Sequence, residues 1–291
     1  MTTPSTLTGR PGRSRCRPSG EPDDPGDLAV PFGPVACQAH AVPAARDHWF
    51  EELADHLGAA YLRYSFTKGT DQEVDFLVEA LGLAPGMRVL DVGCGPGRHA
   101  RALGRRGIVV HGIDISQRFV DLAGQNAPDG VTVERLDARA LPFDAEFDAA
   151  ISLCQGAFGL ADGDGGADTP MDPDGEVLDG IAHAVRPGGV VALSAFSAYF
   201  QVRWLDPQRG SFDAERGVNH ERTLIKDEAG VDAEVDLWTS CFTPRELRLL
   251  AARAGLDVEA LWSVRPGEYA RRVPDIDHEE LLLIGRRVSS V

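Results

Sequence analysis

Short apolar runs alternate with amphipathic stretches through the middle of the chain. Each run has the length and composition of a buried strand, and we assign strands to residues 88–92, 109–113, 131–136, 148–153 and 190–195. Helical periodicity fills the intervals, with helices predicted at 98–106, after the capping residue Ser116, and at 176–184. Because strands that alternate with helices form a parallel sheet, this order predicts an α/β domain with helices on both faces.

The two ends of the chain differ from this middle part. Residues 1–44 are rich in Pro, Gly, Ser, Arg and Asp, so we predict a disordered tail there. Residues 45–84 have apolar positions at helical spacing from Trp49 to Tyr64, then a helix that starts with a capping box from Thr70 to Glu73. The core, 85–291, continues with a β-hairpin insertion near 220–240, a helix after Thr243, and strands at 258–264 and 280–286.

A glycine-rich turn follows the first strand of the core. Residues 89–99 read VLDVGCGPGRH, with Asp91 ahead of three alternating glycines and a helix opening on the turn. Glycine adopts positive φ freely and lets a ligand approach the backbone, and the free N–H groups at the helix start face that ligand. We therefore predict a site for a nucleotide-like cofactor. The spacing from Gly95 to Ala100 also fits a dinucleotide fingerprint, so a nicotinamide cofactor remains open.

Three acidic residues lie at the carboxyl ends of successive predicted strands. They are Asp91, Asp114 and Asp137, each separated from the next by one strand–helix unit. In an open parallel sheet, ligands bind outside the carboxyl ends of the strands. The three carboxylates should therefore line one edge of one crevice.

The sequence D-x-G-x-G-x-G from Asp91 to Gly97 resembles the first motif of the class I S-adenosylmethionine-dependent methyltransferases. The resemblance extends over roughly residues 75–290, through the Asp114 and Asp137 units, the Pro187-Gly188-Gly189 turn before the fifth strand, and the terminal strand pair. It implies a doubly wound, seven-stranded, mostly parallel Rossmann-like sheet with an antiparallel last strand. It also implies S-adenosylmethionine as the methyl donor.

The resemblance assigns a role to individual residues of the site. Asp114, followed by Ile115, would accept hydrogen bonds from the ribose hydroxyls, and Asp137 with Ala138 would meet the adenine. Leu153 and Cys154 would pack near the adenine and the sulfonium, with Asp91 under the loop. Residues 45–84 would form a helical lid that places Tyr64 over the sulfonium. The glycine turn would pass beneath the ribose and the methionine portion, through Gly93, Cys94, Gly95 and Gly97.

Catalytic residues are harder to predict, because methyl transfer depends mainly on alignment and on exclusion of water. The candidates are Gln155, which follows the fourth strand, and His220 and Glu221, which precede the hairpin and could serve as a general base. No metal is expected. The acidic loop from Asp162 to Asp174 lacks the spacing and the terminal Glu of an EF-hand.

Composition restricts the partners and the compartment. The net charge of -16 disfavours a nucleic-acid partner, and the aromatic residues after the fifth strand favour a small-molecule acceptor. No apolar run approaches a membrane span, and the five scattered cysteines suit the cytoplasm. Two alternatives remain: an NAD(P)-dependent oxidoreductase with a Rossmann fold, and a non-catalytic cofactor-binding homologue. The sequence predicts neither the oligomeric state nor the atom that is methylated.

Overall fold

The computed structural model describes residues 48–125, 127–160 and 170–289. The predicted tail at 1–44 and most of the acidic loop lie outside these ranges. The described α-helices are α1 Trp49–Leu57, α2 Thr70–Leu81, α3 Arg98–Gly104, α4 Gln117–Gly124, α5 Pro173–Ala184, α6 Ala198–Arg203 and α7 Pro244–Arg253. The described strands are β1 Arg88–Val92, β2 Val109–Asp114, β3 Val131–Arg135, β4 Phe147–Ser152, β5 Val185–Ser197, β6 Gly210–Asp213, β7 Val218–Lys226, β8 Asp232–Phe242, β9 Leu256–Val264 and β10 Glu280–Arg287.

Seven strands form the main sheet in the order β3-β2-β1-β4-β5-β10-β9. The first five are parallel to one another. Strand β10 lies between β5 and β9 and runs antiparallel to both. The predicted fold class, a mostly parallel sheet with an antiparallel last strand, is therefore confirmed.

Buried side chains form a core on each face of this sheet. On one face, Ile181 of α5 and Leu247 of α7 pack with Leu90 and Leu193. On the other face, Leu77 of α2 and Leu103 of α3 pack with other strand residues. Helices thus cover both faces, which gives the doubly wound arrangement.

A second sheet of three antiparallel strands, β6, β7 and β8, grows from the carboxyl end of β5. Strand β8 pairs with β5 at Phe196 and Ser197, beyond Leu193, where the pairing of β5 with β4 ends. Strands β7 and β8 form a long hairpin. The sequence did not indicate β6, which has only four residues and one large apolar side chain. This appended sheet stands next to the carboxyl ends of the core strands.

The N-terminal segment is less regular than its apolar spacing predicts. Helix α1 ends at Leu57, and two 3-10 helices, Gly58–Arg63 and Ser65–Thr67, carry the chain to α2. The predicted capping box at Thr70 is wrong: Gly69 is the N-cap of α2, and no side chain caps that helix. The side chain of Glu73 is instead held by residues distant in sequence, as described below. No described helix is long and apolar enough to cross a membrane.

Candidate active site

The glycine turn after β1 brings two loops into backbone contact. Gly93 has φ 74°, and a Cβ atom placed on it would lie 2.1 Å from the carbonyl carbon of Gly156, in the loop after β4. The N–H groups of Gly93 and Cys94 both donate to the carbonyl oxygen of Ile113, at 2.9 Å. Only glycine fits at position 93, because any side chain would separate the two loops.

Asp114, the last residue of β2, is buried directly beside this turn. Its Oδ2 accepts a hydrogen bond from the N–H of Gly95 at 2.9 Å, and its Oδ1 accepts one from the N–H of Ser116 at 2.9 Å. Burial raises the pKa of Asp114 to about 6, although these two backbone hydrogen bonds oppose the rise. Each carboxylate oxygen has a second lone pair, so Asp114 can still accept hydrogen bonds from a vicinal diol.

Asp114 lies where two cavities meet. A narrow cleft runs from it past Ile115, Asp137 and Ala138. A larger cavity of about 450 Å³ opens on its other side, above Gly95. Gly93, Asp114, Gly156 and Leu160 line both spaces. The site is therefore elongated, with the glycine turn at its middle and a polar cleft at one end.

The carboxylate of Asp137 is already paired at the cleft end. It accepts hydrogen bonds from the guanidinium of Arg139, with Nη2 and Oδ2 2.7 Å apart. Burial opposes ionisation of Asp137, but the hydrogen bonds and charge of Arg139 outweigh it and lower the pKa. Asp137 therefore stays ionised and presents a fixed acceptor edge to the cleft.

Aromatic rings form much of the wall of the larger cavity. The 3-10 segment places Tyr61 against Phe119 of α4, with ring centroids 5.1 Å apart, and the Oη of Tyr64 accepts a hydrogen bond from the N–H of Lys226 at 3.0 Å. Leu57 and Ile225 pack together below them. The N-terminal segment and the β7–β8 hairpin thus jointly cover this cavity. The aromatic residues that line it are Trp49, Phe50, Tyr61, Tyr64, Phe66, Phe119 and Phe196.

A buried ionic network fixes the start of α3 under the turn. Glu73 contacts the guanidinium of Arg98, lies 2.7 Å from Nε2 of His99, and accepts a hydrogen bond from the N–H of Gly267. Burial opposes ionisation of Glu73, but His99 and Arg98 outweigh it and lower the pKa of Glu73. The guanidinium of Arg98 also donates to the Sγ of Cys154 at 2.7 Å. This network ties α2, α3 and the loop after β4 together.

Comparison with known proteins identifies the domain that carries this geometry. A family model described as a methyltransferase domain matches residues 89–189. The chain is 31% identical to 27-O-demethylrifamycin SV methyltransferase of Amycolatopsis mediterranei, over 50% of this chain and 55% of that protein. It is 28% identical to a cypemycin N-terminal methyltransferase of a Streptomyces species, over 69% of this chain and 84% of that protein. The fold matches the CcbJ methyltransferase of Streptomyces caelestis with TM-score 0.66, at 18% identity over 81% of this chain and 98% of that one.

Residues 89–189 therefore form a methyltransferase domain. The family match begins in β1 and ends at Gly189 within β5, so it includes the glycine turn, Asp114, Asp137 and the loop after β4. The chain spans about half the length of the rifamycin relative and most of the cypemycin relative. The comparisons do not favour the nicotinamide alternative.

The methyltransferase domain brings most of the predicted cofactor residues to the two cavities. The residues that line one or both are Tyr64, Gly93, Gly95, Asp114, Ile115, Asp137 and Ala138. Four others line neither space. Cys94 is buried beneath the turn, Gly97 caps α3 with φ 78°, and Leu153 packs in the core on the α2–α3 face. The prediction that Leu153 packs against the adenine therefore differs from its place in the structure, whereas Cys154 does line the larger cavity.

Asp91 is the fourth predicted cofactor residue that lines neither cavity. It lies under the glycine turn, as predicted, but it is sealed from both cavities. It is 1% exposed, and its Oδ2 has no hydrogen-bond partner among the described residues. Burial raises its pKa to about 7, and the charge of Arg98 opposes that rise. Asp91 can therefore act on a ligand only through the charge or the shape of the turn above it.

The three catalytic candidates separate in the structure. Gln155 and Glu221 line the larger cavity. His220 does not: it lies, like Glu221, within β7 rather than before the hairpin, and neighbouring side chains of a strand point to opposite faces. Its Nε2 is 2.7 Å from Oδ1 of Asp236, and its ring stacks on Trp238 with centroids 5.1 Å apart. His220 lines a separate, smaller pocket with Trp204 and Arg209, so its proposed role as the general base is not supported by its position.

Sequence reasoning missed Glu280, the first residue of β10. Its side chain lines the larger cavity although it is only 2% exposed, and burial raises its pKa to about 8. A glutamate at the start of a strand ordinarily indicates that this end of the strand is exposed to solvent. Only the pairing of Glu280 with Phe196 and Val264 inside the sheet shows that its side chain is buried. No local pattern could have signalled it.

The residues fit S-adenosylmethionine. The carboxylate of Asp114 is an acceptor-only group at the junction of the cavities, suited to a ribose diol. A Cβ on Gly93 or on Gly156 would collide with the backbone of the other residue. Both residues border the space where the protein backbone must approach the cofactor closely. No Lys, Arg or His is found among the described residues that line the larger cavity, so nothing there repels a sulfonium.

Proposed function

We propose that this protein transfers the methyl group of S-adenosylmethionine to a small-molecule acceptor. One observation carries the proposal: Asp114 and the glycine turn stand between a polar cleft and an aromatic, acidic cavity of about 450 Å³. That volume is within the range of small-molecule sites. The proposal of a small-molecule acceptor is also supported by the rifamycin relative, which is named for a small-molecule substrate.

The cofactor would occupy the elongated space around the turn. Asp114 would accept the ribose hydroxyls, Ile115 and Ala138 would border the base, and Asp137 would offer its fixed carboxylate edge. When bound, S-adenosylmethionine supplies an activated methyl group on a positively charged sulfur. The acceptor would enter the larger cavity, whose aromatic walls suit both an apolar acceptor and a nearby positive charge.

Residues 48–84, the described part of the predicted lid, would exclude water during transfer. The hydrogen bond of Tyr64 to the hairpin and the contact of Leu57 with Ile225 hold this segment closed over the cavity. Exclusion of water favours alignment of the acceptor with the methyl group and prevents side reactions. We propose that the acceptor enters when this segment moves away from the hairpin.

Two further expectations belong to this proposal. The net charge of -16 supports a partner other than nucleic acid. Cys94, Cys154 and Cys241 are free thiols, which supports a reducing compartment such as the cytoplasm.

Labelled-methyl transfer tests the proposed function. The purified full chain is incubated with methyl-labelled S-adenosylmethionine and a metabolite extract of the organism that encodes it, and label is followed in small-molecule and macromolecular fractions. We expect label in a small organic product that depends on the protein and falls at least tenfold with Asp114→Ala, roughly the effect of losing a hydrogen bond to a charged group. Label in nucleic acid, or none in any fraction while the donor is bound, would contradict the proposal.

A further inference from the structure

Glu280 is a buried carboxyl group whose hydrogen-bonding capacity is only partly used. It is 2% exposed and lines the larger cavity, and its Oε2 has no hydrogen-bond partner within the described part of the chain. A buried acceptor without a partner is destabilising, because it loses its bonds to water and gains none in return. Such a group at a cavity wall indicates that a ligand supplies the missing donor.

Gln155 presents a second unsatisfied polar group to the same cavity. It is 8% exposed, lines the cavity, and its Nε2 has no partner among the residues described. Ser194 and Gln155 both lie beside the Glu280 carboxyl and lower its pKa, although the Nε2 of Gln155 is outside hydrogen-bond geometry with every described acceptor. The wall thus offers an acidic oxygen and an amide at adjacent points, a set that can orient one polar head group.

The charge of the cavity selects the sign of that head group. Four carboxyl groups line it, those of Asp114, Glu221, Glu279 and Glu280, and the described lining residues include no cationic side chain. Glu279 is paired with Arg265, at 3.1 Å, on its outer side. The buried cation Arg98 is held by Glu73 and Cys154. A cavity lined by one sign of charge concentrates ligands of the opposite sign.

On the basis of the proposed methyl transfer, we infer that the acceptor is an amine with an apolar body, and that Glu280 is the catalytic residue that takes the proton from its nitrogen. The aromatic walls contact the apolar body, and Gln155 holds the amine beside the carboxylate. A hydroxyl acceptor would not use the negative charge of the cavity.

The proton and electron balance of this step is complete. The bound ammonium gives one proton to the ionised Glu280, which leaves a neutral amine and a neutral carboxyl group. The nitrogen lone pair then forms the N–C bond while the C–S bond breaks, and the sulfur keeps that electron pair. The product is a methylated ammonium, and Glu280 later releases its proton to solvent.

The environment of Glu280 suits this proton transfer. Burial raises its pKa to about 8, and the charges of Glu73 and Glu279 add to the rise. This brings the carboxyl nearer to an alkyl ammonium, whose pKa is about 10, so transfer of the proton is less uphill than to an ordinary glutamate. The other ionisable groups that interact with it are Tyr61 of the 3-10 segment, Cys154 of the loop after β4, and Tyr269 before β10.

One competing occupant is the amino group of the methionine half of the cofactor. If Glu280 bound that group, its loss would weaken cofactor binding, and amine acceptors would have no advantage over alcohols. A binding experiment separates the two roles without any turnover.

The test uses two probes of the same shape, phenethylamine and phenethyl alcohol, titrated into the full chain saturated with S-adenosylhomocysteine at about pH 8.5, where Glu280, with a pKa of about 8, is ionised and the amine is still protonated. We expect the amine to bind at least about tenfold more tightly than the alcohol. Glu280→Gln should remove that preference, keep alcohol binding, and leave S-adenosylhomocysteine affinity within about twofold of the wild-type value. Glu259→Gln, the same change at an exposed residue of β9 paired with Arg286, is the matched control.

Each other outcome overturns the inference. These are equal binding of amine and alcohol at any affinity, a preference that survives in Glu280→Gln, and a parallel loss of S-adenosylhomocysteine in that variant. Failure of the wild-type protein to bind S-adenosylhomocysteine would instead refute the proposed function itself. Far-ultraviolet circular dichroism shows whether Glu280→Gln is folded, and Glu280→Asp, which keeps the charge, should restore part of the amine preference.

Discussion

Asp114 is the side chain on which the cofactor proposal depends most. Both of its oxygens are fixed by backbone N–H groups, so its orientation is set before a ligand arrives. We predict that Asp114→Ala weakens S-adenosylhomocysteine binding by roughly 10-fold to 150-fold, since hydrogen bonds to a charged group contribute about 1.5–3 kcal/mol. Asp121→Ala, at an exposed position of α4, should have no effect in the same calorimetric titration. Equal affinities for the two variants would remove Asp114 from the site.

Gly93 tests whether the contact of the two loops is required. Gly93→Ala should destabilise the protein by about 1–3 kcal/mol more than Gly86→Ala, because overpacking adds to the strain of positive φ. Gly86 has φ 85° and open space around it, so its variant reports the strain alone. The two free energies of unfolding are compared by urea denaturation. Identical free energies of unfolding for the two variants would mean that the two loops can separate without loss of stability.

The position of a side chain could be predicted where the signal is local to one strand end. Asp114, Asp137, Gly93 and Gly95 follow from a motif and a regular spacing, and they line the cavities. Glu280 and the place of His220 depend on pairing with distant strands, which short-range patterns do not record. For the same reason Leu153, one residue past β4, faces the core while Cys154 faces the cavity.

At the scale of elements, residues 48–84, the proposed lid, are joined to the hairpin by few polar contacts. The hydrogen bond from Lys226 N–H to Tyr64 Oη is one of them, and Glu228 accepts another from the N–H of Ala59. Tyr64→Phe should raise amide hydrogen exchange of residues 58–67 by about fivefold, as expected for loss of about 1 kcal/mol. Tyr199→Phe, at an exposed position in α6, is the matched control. Unchanged exchange in Tyr64→Phe would show that this bond does not hold the lid.

Helix starts illustrate when an element can be predicted from sequence. The capping box of α7 forms as predicted, with Thr243 and Glu246 bonded reciprocally, because both partners are exposed and have no competitor. The same pattern at Thr70 fails because Glu73 is drawn into the network with Arg98 and His99. A local signal is therefore reliable only where tertiary contacts leave its side chains free.

At the scale of the whole molecule, buried carboxyl groups make stability depend on pH. The pKa of Glu280 is about 8 in the folded state against an ordinary value of 4.5, so the folded state binds more protons between these values. Its contribution to stability is fully present below about pH 4.5 and is lost as the pH rises towards 8. Asp91 and Asp114, with raised pKa values, act in the same direction, whereas buried neutral His99, with a lowered pKa, opposes them.

We predict that Glu280→Gln flattens this dependence. Its free energy of unfolding should increase relative to the wild-type protein between about pH 5 and pH 8, by about 1.4 kcal/mol for each unit of pKa difference that is removed. Urea denaturation at several pH values measures it, with Glu259→Gln as the control. Parallel curves for Glu280→Gln and the wild-type protein would show that Glu280 titrates as an ordinary surface glutamate.

The fold as a whole was predictable because its signals repeat. Five apolar runs, the intervening helices and the terminal strand pair indicate a mostly parallel sheet, and the structure confirms it. The appended β6–β8 sheet attaches to β5 at only two residue pairs, which no periodicity reveals. The larger cavity lies beside that junction, so its shape and its acidic lining could not be predicted from the sequence.

The most direct test of the central claim is a calorimetric titration of the wild-type protein with S-adenosylhomocysteine and, separately, with NADH. We predict saturable binding of S-adenosylhomocysteine at one site per chain and no binding of NADH. Saturable binding of NADH, with none of S-adenosylhomocysteine, would contradict it.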